Sequence, residues 1–218
     1  MISVRVSNHP TPSTENARRF AKPMPYRGVG SEIIHVLSGL YLRLTGWSVP
    51  SEWPDVSKAV ILAAPHTSNW DGVNMLAVAG WYRVKLSYMG KKSLTTGPLG
   101  WLVKRSGCVP IERSKSTNVV EQMTAAFSKA NSLYLAVAPE ATRQLNSNWK
   151  TGYYQIARSA GVPLVMAVMD YKAKTVSLAG PIEVTGDYVA DLDKILAPYR
   201  GASGKHTDNF SLPESQEK

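Results

Sequence analysis

The 218-residue chain is short of cysteine, of histidine and of long apolar runs, and each shortage removes a class of function. A single cysteine, Cys108, excludes an internal disulfide and a thiolate metal cluster. The four histidines, His9, His35, His66 and His206, are too dispersed for a recognisable zinc pattern. Nothing else in the chain calls for a metal or a bound organic cofactor. No uninterrupted apolar stretch reaches the roughly 18 to 20 residues that a bilayer span needs, and the N-terminus is polar rather than signal-like, so the expected compartment is the cytoplasm. Acidic residues are scarce as well: 16 Asp and Glu against 25 Lys and Arg leave a formal charge of +9. Such a balance selects negatively charged partners, and nucleic acid, anionic lipid and phosphorylated substrates qualify on charge alone. No RNA- or DNA-binding motif accompanies the charge, so nucleic acid is not an expected partner.

What the chain does contain is enough apolar residue, 44% of the total, for one globular domain with a sizeable core. Residues 1–28 are rich in Pro, Ser, Thr and Asn and are expected to be poorly ordered, as is the polar tail 201–218, which leaves a domain over 29–200. Residues 31–45 carry Ile33, Val36, Leu37, Leu40, Tyr41 and Leu44 at helical spacing, which predicts an amphipathic helix. Either it packs on the domain's own core or it lies on a membrane surface, and Trp47 and Trp53 beside it favour the surface slightly. Strand patterns at 57–64, 84–89, 107–112, 132–138, 162–169 and 174–184 alternate with helical patterns at 71–82, 98–105, 117–130, 149–160 and 187–198. That alternation predicts an α/β fold: a single-domain, mostly parallel or mixed sheet flanked by helices.

One stretch organises the rest. The apolar run Val60 to Ala64 stops at Pro65-His66, and Asp71 follows five residues later at the head of a helical pattern. An offset of five is not a same-face spacing on a helix, so the two side chains meet only if the intervening turn folds back. A turn of that kind would let the carboxylate hold one imidazole nitrogen and leave the other free to take a proton from a hydroxyl. The competing reading has Asp71 capping the helix and His66 merely solvated.

Two further loops follow strand patterns and carry charge: residues 107–113 end in Arg113, and residues 136–143 contain Glu140 and Arg143. In a parallel sheet they would gather at the edge that holds His66. Arginines there suit bidentate capture of a phosphate, or pair with Glu140 to fix the loops. Between Arg83 and Lys115, eight basic residues, Lys91 and Lys92 among them, face one acid, Glu112. Apolar residues interleave with them, as on a surface that touches both head groups and acyl chains.

These blocks carry a resemblance. Residues 66–71 look like the H-x4-D block of the glycerolipid acyltransferases, the family that includes 1-acylglycerol-3-phosphate O-acyltransferase. In order, residues 107–113 resemble its second block, 139–143 its P-E-G-T-R block and 162–165 its fourth. Residues 114–123 and 149–157 are similar to a compact bacterial subgroup that is lysophospholipid acyltransferase-like. The resemblance spans about residues 55 to 185.

It implies an enzyme in which His66 is the general base, Asp71 orients it, and the activated hydroxyl attacks the thioester of acyl-CoA or acyl carrier protein. Arg113, Glu140 and Arg143, with Lys91 or Lys92, would hold the phosphate of a lysophospholipid acceptor. The implied partners are an acyl thioester donor, that acceptor and an anionic membrane, with the protein peripheral on its inner face. Cofactors are none beyond the acyl co-substrate. Cys108, with apolar neighbours, suits an inert thiol rather than an acyl carrier. A different hydroxyl acceptor, a thioesterase using water, and a non-catalytic module for anionic lipid are the alternatives. The chain departs from the family pattern in having Ala141 where glycine stands and Gln144 where serine is usual. If that glycine is needed for a positive φ, alanine costs on the order of 1 kcal/mol there.

Overall fold

The structure is a computed structural model that describes residues 28–50, 52–111 and 116–213. Its centre is a six-stranded sheet: β1 (Lys58–Ala64), β2 (Leu86–Lys91), β3 (Cys108–Ile111), β4 (Leu133–Val137), β5 (Leu164–Asp170) and β6 (Thr175–Ile182). The spatial order is β3-β2-β4-β1-β5-β6, parallel throughout except for β6, which runs antiparallel to β5. All six expected strands form. β2 begins two residues later than its pattern, because Val84 N–H is still bonded to Ala79 C=O in the turn that ends the preceding helix.

Among the described residues six α-helices flank the sheet: α1 (Val29–Thr45), α2 (Asn69–Trp81), α3 (Gly100–Arg105), α4 (Ser116–Lys129), α5 (Gly152–Ala160) and α6 (Tyr188–Leu196). β1 is buried on both faces and serves two cores. Val60, Leu62 and Ala64 point to one with Phe127, Tyr153, Ile156 and Ile195, while Ala59 and Ile61 point to the other with Leu42, Trp47, Val78 and Tyr134. The continuous apolar run of β1 is therefore what a central parallel strand requires.

α1 forms where the pattern places it, and of the two arrangements open to it takes the one with its apolar face outward. It buries Ser31, Ser38, Gly39 and Leu42, and leaves Ile33, Val36, Leu37, Leu40 and Leu44 exposed. The cause is close packing on α2. A Cβ on Gly39 would lie 2.6 Å from the Trp81 ring, and one on Gly80 would lie 2.4 Å from Ser38 Oγ, so small residues form the seam. His35 completes it, stacking on Trp81 with ring centroids 4.6 Å apart and bonding to Trp81 C=O through Nδ1 at 2.6 Å. Trp47 is buried and Trp53 packs against Tyr82 and Tyr134, so neither marks an exposed interface.

The segment after Gly201 is a second correction. Residues 201–213, expected to be poorly ordered, run back over the sheet: Tyr171 N–H donates to Ser203 C=O at 2.8 Å, and Trp149 Nε1–H to Ser211 C=O at 3.2 Å. Phe210 packs beside Trp149. A polar composition hid a few aromatic and backbone anchors that are enough to hold the strap. The expectation for the N-terminal 28 residues falls almost wholly on residues outside the described ones.

Candidate active site

Parallel strands put the loops after β1, β2, β3, β4 and β5 at one edge of the sheet, and β1 sits between β4 and β5. The edge beyond carboxyl ends is where open α/β sheets bind ligands. Each loop brings a different piece.

From β1 comes His66. The turn 66–68 folds back and α2 opens with a capping box: Ser68 is the N-cap, and Asp71, at the third helical position, accepts from the Ser68 N–H. Asp71 Oδ2 takes the Thr67 and Ser68 amides, each at 2.7 Å, and faces His66 Nδ1 at 3.4 Å. The two readings of the spacing thus merge. The same carboxylate caps the helix and holds the imidazole. The 3.4 Å contact is longer than a tight hydrogen bond. Asp71 is buried, while the His66 side chain is 33% exposed and its Nε2 has no partner among the described residues. Burial pushes Asp71 upward, yet bonds from His66, Tyr171 and the Ser68 amide outweigh it and hold the carboxyl below its ordinary range. It remains charged, beside an imidazole open to solvent.

From β4 comes Glu140, only 1% exposed and turned inward: both carboxylate oxygens accept the His66 backbone N–H, at 3.0 and 3.1 Å. Burial pushes its carboxyl up to about 7, the His66 amide opposes that, and the Asp71 charge adds to it. Glu140 in this arrangement fixes the backbone of the histidine. The next residue, Ala141, has φ +58, the left-handed conformation in which a side chain is strained. Arg143 is exposed at the same edge and donates to Asn69 Oδ1 rather than to Glu140.

Lys92 is exposed just past the end of β2. For Lys91 only the backbone, the last residue of β2, is described, and Arg113 lies outside the described residues. The structure therefore brings His66, Asp71 and Glu140 together, with Arg143 on the rim. Cys108 is buried, and that burial raises its thiol, which keeps it from acting as a thiolate.

Three contributors escaped the sequence reading. Tyr171, the first residue after β5, donates to Asp71 Oδ1 at 2.6 Å. The strap closes over the loop: His206 N–H donates to Thr67 Oγ1 at 3.2 Å, and a Cβ on Gly204 would lie 2.7 Å from Thr67 Cγ2. Lys205 sets its ammonium 5.1 Å from the ring centre of Trp70, adding a cation near the edge. The rule that ligands gather beyond carboxyl ends would have pointed to Tyr171, since the fifth strand pattern ends just before it.

The family model described as Acyltransferase matches residues 46–170. A 1-acyl-sn-glycerol-3-phosphate acyltransferase of Haemophilus influenzae is 26% identical over 170 residues, 69% of this chain and 68% of that protein. The crystal structure of the 1-acyl-sn-glycerophosphate (LPA) acyltransferase PlsC of Thermotoga maritima superposes with a TM-score of 0.53. The match has 15% identity and covers 77% of this chain and 75% of that one. That likeness establishes a shared fold.

Proposed function

The chain belongs to the Acyltransferase family and is an acyltransferase, and from that premise we propose that it moves a fatty acyl group from an acyl thioester to the hydroxyl of a lysophospholipid such as 1-acylglycerol-3-phosphate. The observation that carries the reading is the closed turn in which a doubly bonded Asp71 faces His66 Nδ1 while Nε2 stays free.

In this mechanism Nε2 takes the proton of the acceptor hydroxyl as its oxygen attacks the thioester carbonyl. The imidazolium that forms is stabilised by the Asp71 charge. The C–S bond breaks as the tetrahedral intermediate collapses, and the departing thiolate of CoA or carrier protein takes the proton back. No acyl-enzyme is formed. Arg143 on the rim, with Lys91, Lys92 and Arg113, holds the acceptor's phosphate. Charge-assisted donors of this kind aim the hydroxyl at the carbonyl before reaction. Glu140 supports the same step by fixing the His66 backbone rather than by touching the anion, which a carboxylate would repel.

The reaction takes place at an anionic membrane surface. Ile33, Leu37, Leu40 and Leu44 of α1 and Trp70, Val73 and Leu76 of α2 are large apolar side chains left exposed on two packed helices, which suits contact with a membrane surface. No helix among the described residues is long and apolar enough to cross the membrane, which suits peripheral attachment.

The test is transfer from radiolabelled acyl-CoA and acyl carrier protein to a panel of lysophospholipids on neutral and anionic vesicles, with His66→Ala of verified fold beside the wild type. The expected result is acylated product that falls at least about 100-fold in the variant, and sedimentation with the anionic vesicles. Equal product from both proteins removes His66 as the base. Free fatty acid that does not decline when acceptor is added makes the enzyme a thioesterase instead, and equal, negligible sedimentation with both vesicles removes the membrane.

A further inference from the structure

A partly buried chain of polar side chains, with Asp71 and Asn74 inside, runs from the base out of the site. Asp71 Oδ2 is supplied by two backbone amides and faces His66, but Oδ1 has one partner among the described residues, the Tyr171 hydroxyl at 2.6 Å. Tyr171 Oη accepts from Asn74 Nδ2 at 3.1 Å, and Asn74 Oδ1 accepts from the Tyr41 hydroxyl at 2.8 Å. The direction of each bond follows from the one before. A carboxylate only accepts, so Tyr171 spends its single proton on Asp71 and must receive from Asn74. The Asn74 amide nitrogen then faces Tyr171 and its oxygen faces Tyr41.

Three separate elements contribute: Tyr171 follows β5, Asn74 lies on α2 and Tyr41 on α1. The ring of Tyr171 is held besides. Trp47 packs edge-on at 5.0 Å between centroids, and the Tyr171 N–H is fixed to Ser203 C=O at 2.8 Å. Burial and the neighbouring Asp71 push the Tyr171 hydroxyl well above its ordinary range, so it stays a neutral donor.

We propose that Tyr171 is a positioning residue of the acyl-transfer site, holding Asp71 Oδ1 so that Oδ2 stays aimed at His66, with Asn74 and Tyr41 aligning its hydroxyl. This rests on the reading of His66 as the base. Without the Tyr171 bond the carboxylate is held through Oδ2 alone, and any turn about its last torsion loosens the aim at His66 together with the two amide bonds on the same oxygen. Tyr171 acts only through Asp71, and its removal slows the chemical step without weakening substrate binding.

The experiment measures kcat and the KM of donor and acceptor for the full chain as wild type, Tyr171→Phe, Asn74→Ala, Asp71→Asn, Asp71→Asn/Tyr171→Phe and His66→Ala. Phenylalanine keeps the ring and its contact with Trp47. For Tyr171→Phe the expected result is a kcat about 10-fold lower with each KM within about twofold of wild type, and for Asn74→Ala a smaller loss of the same kind. In the Asp71→Asn background, Tyr171→Phe is expected to add nothing, because the partner it positions is gone. Wild-type kcat in Tyr171→Phe, beside an inactive His66→Ala, overturns the proposal while leaving the base in place. An equal loss in both backgrounds also overturns it, since Tyr171 would then be supporting the fold at large. A fully active His66→Ala overturns the underlying mechanism instead.

Discussion

Two buried aspartates, Asp71 and Asp191, are built from the same parts and put to different use. Asp71 accepts from two backbone amides and from a tyrosine hydroxyl, Tyr171, which itself accepts from Asn74. Asp191 accepts from the Thr185 amide at 2.7 Å, the Thr185 hydroxyl at 2.9 Å and the Tyr154 hydroxyl at 2.8 Å, and Tyr154 itself accepts from Gly186 N–H at 3.0 Å. In both cases burial pushes the carboxyl up and the donors more than reverse it, so both stay charged. The difference is one partner. Asp71 faces an imidazole that is one-third exposed at the carboxyl edge of the sheet; Asp191 ties α6 to α5 and faces no histidine. A buried carboxylate with several donors therefore marks a well-made joint, and a role in proton exchange also requires that its charge be aimed at a titratable group open to substrate.

The comparison is broken if the two aspartates respond alike. Asp71→Asn is expected to lower kcat on the order of 10³-fold, because the imidazolium loses its counter-charge and the histidine its fixed orientation. Asp191→Asn is expected to leave kcat per folded molecule unchanged and to cost up to about 3 kcal/mol of stability, since three donors meet an amide in place of a carboxylate. Acyl transfer and urea unfolding of both variants decide it. A large loss of kcat in a well-folded Asp191→Asn would end the distinction. Both carboxyls lie below their ordinary values, so the stability each contributes is present above the unfolded pKa and is lost as pH falls.

Glu140 sharpens the contrast, because it is buried at the same edge with the opposite shift. Its carboxyl moves from an ordinary 4.5 up to about 7, so the folded protein binds a proton more tightly there than the unfolded chain does. The stability that this supplies is complete below about 4.5 and is lost as pH rises through about 7. Between pH 5 and 8 it is expected to amount to on the order of 2 kcal/mol, read as a fall in unfolding free energy in wild type that is absent in Glu140→Gln. The amide keeps an acceptor for the His66 N–H. Identical pH slopes in the two proteins would mean that Glu140 titrates as an ordinary surface acid.

The parts legible in the sequence were those governed by local periodicity and by position along a strand. β1 showed itself as an apolar run, α2 by its acidic start, and the gathering of His66 with Glu140 followed once the sheet was taken as parallel. What stayed hidden depended on contacts distant in sequence. Tyr171 and Asp71 are 100 residues apart, and Tyr171 carries no motif of its own. The choice between the two faces of α1 was undecided for another reason: the wheel of apolar residues is real, but a seam of Ser38, Gly39 and Gly80 brings the helices closer than large side chains allow. Charge suggested a phosphate partner for Glu140, and only the structure could show that its buried carboxyl lies against the backbone of the histidine.

Ala141 is where sequence and structure meet most directly, and there the expected effect is smallest. The family pattern has glycine at this position, and the structure gives Ala141 a φ of +58 directly beside Glu140. An L side chain there brings Cβ against the carbonyl oxygen, a strain of roughly 1 to 2 kcal/mol that glycine does not feel. Glycine in turn gives the unfolded chain more freedom, which takes back roughly 0.5 to 1 kcal/mol. Ala141→Gly is therefore expected to raise stability by up to about 1.5 kcal/mol, seen as a higher urea midpoint with an unchanged slope. The residue is exposed, so no core contact is lost in the exchange. If the variant also gains activity, the strain was being transmitted through Glu140 to the His66 amide and the loop had been held short of its best geometry. If stability rises and kcat stands still, Glu140 isolates the base from its neighbour, and the departure from glycine concerns the rim of the acceptor pocket alone.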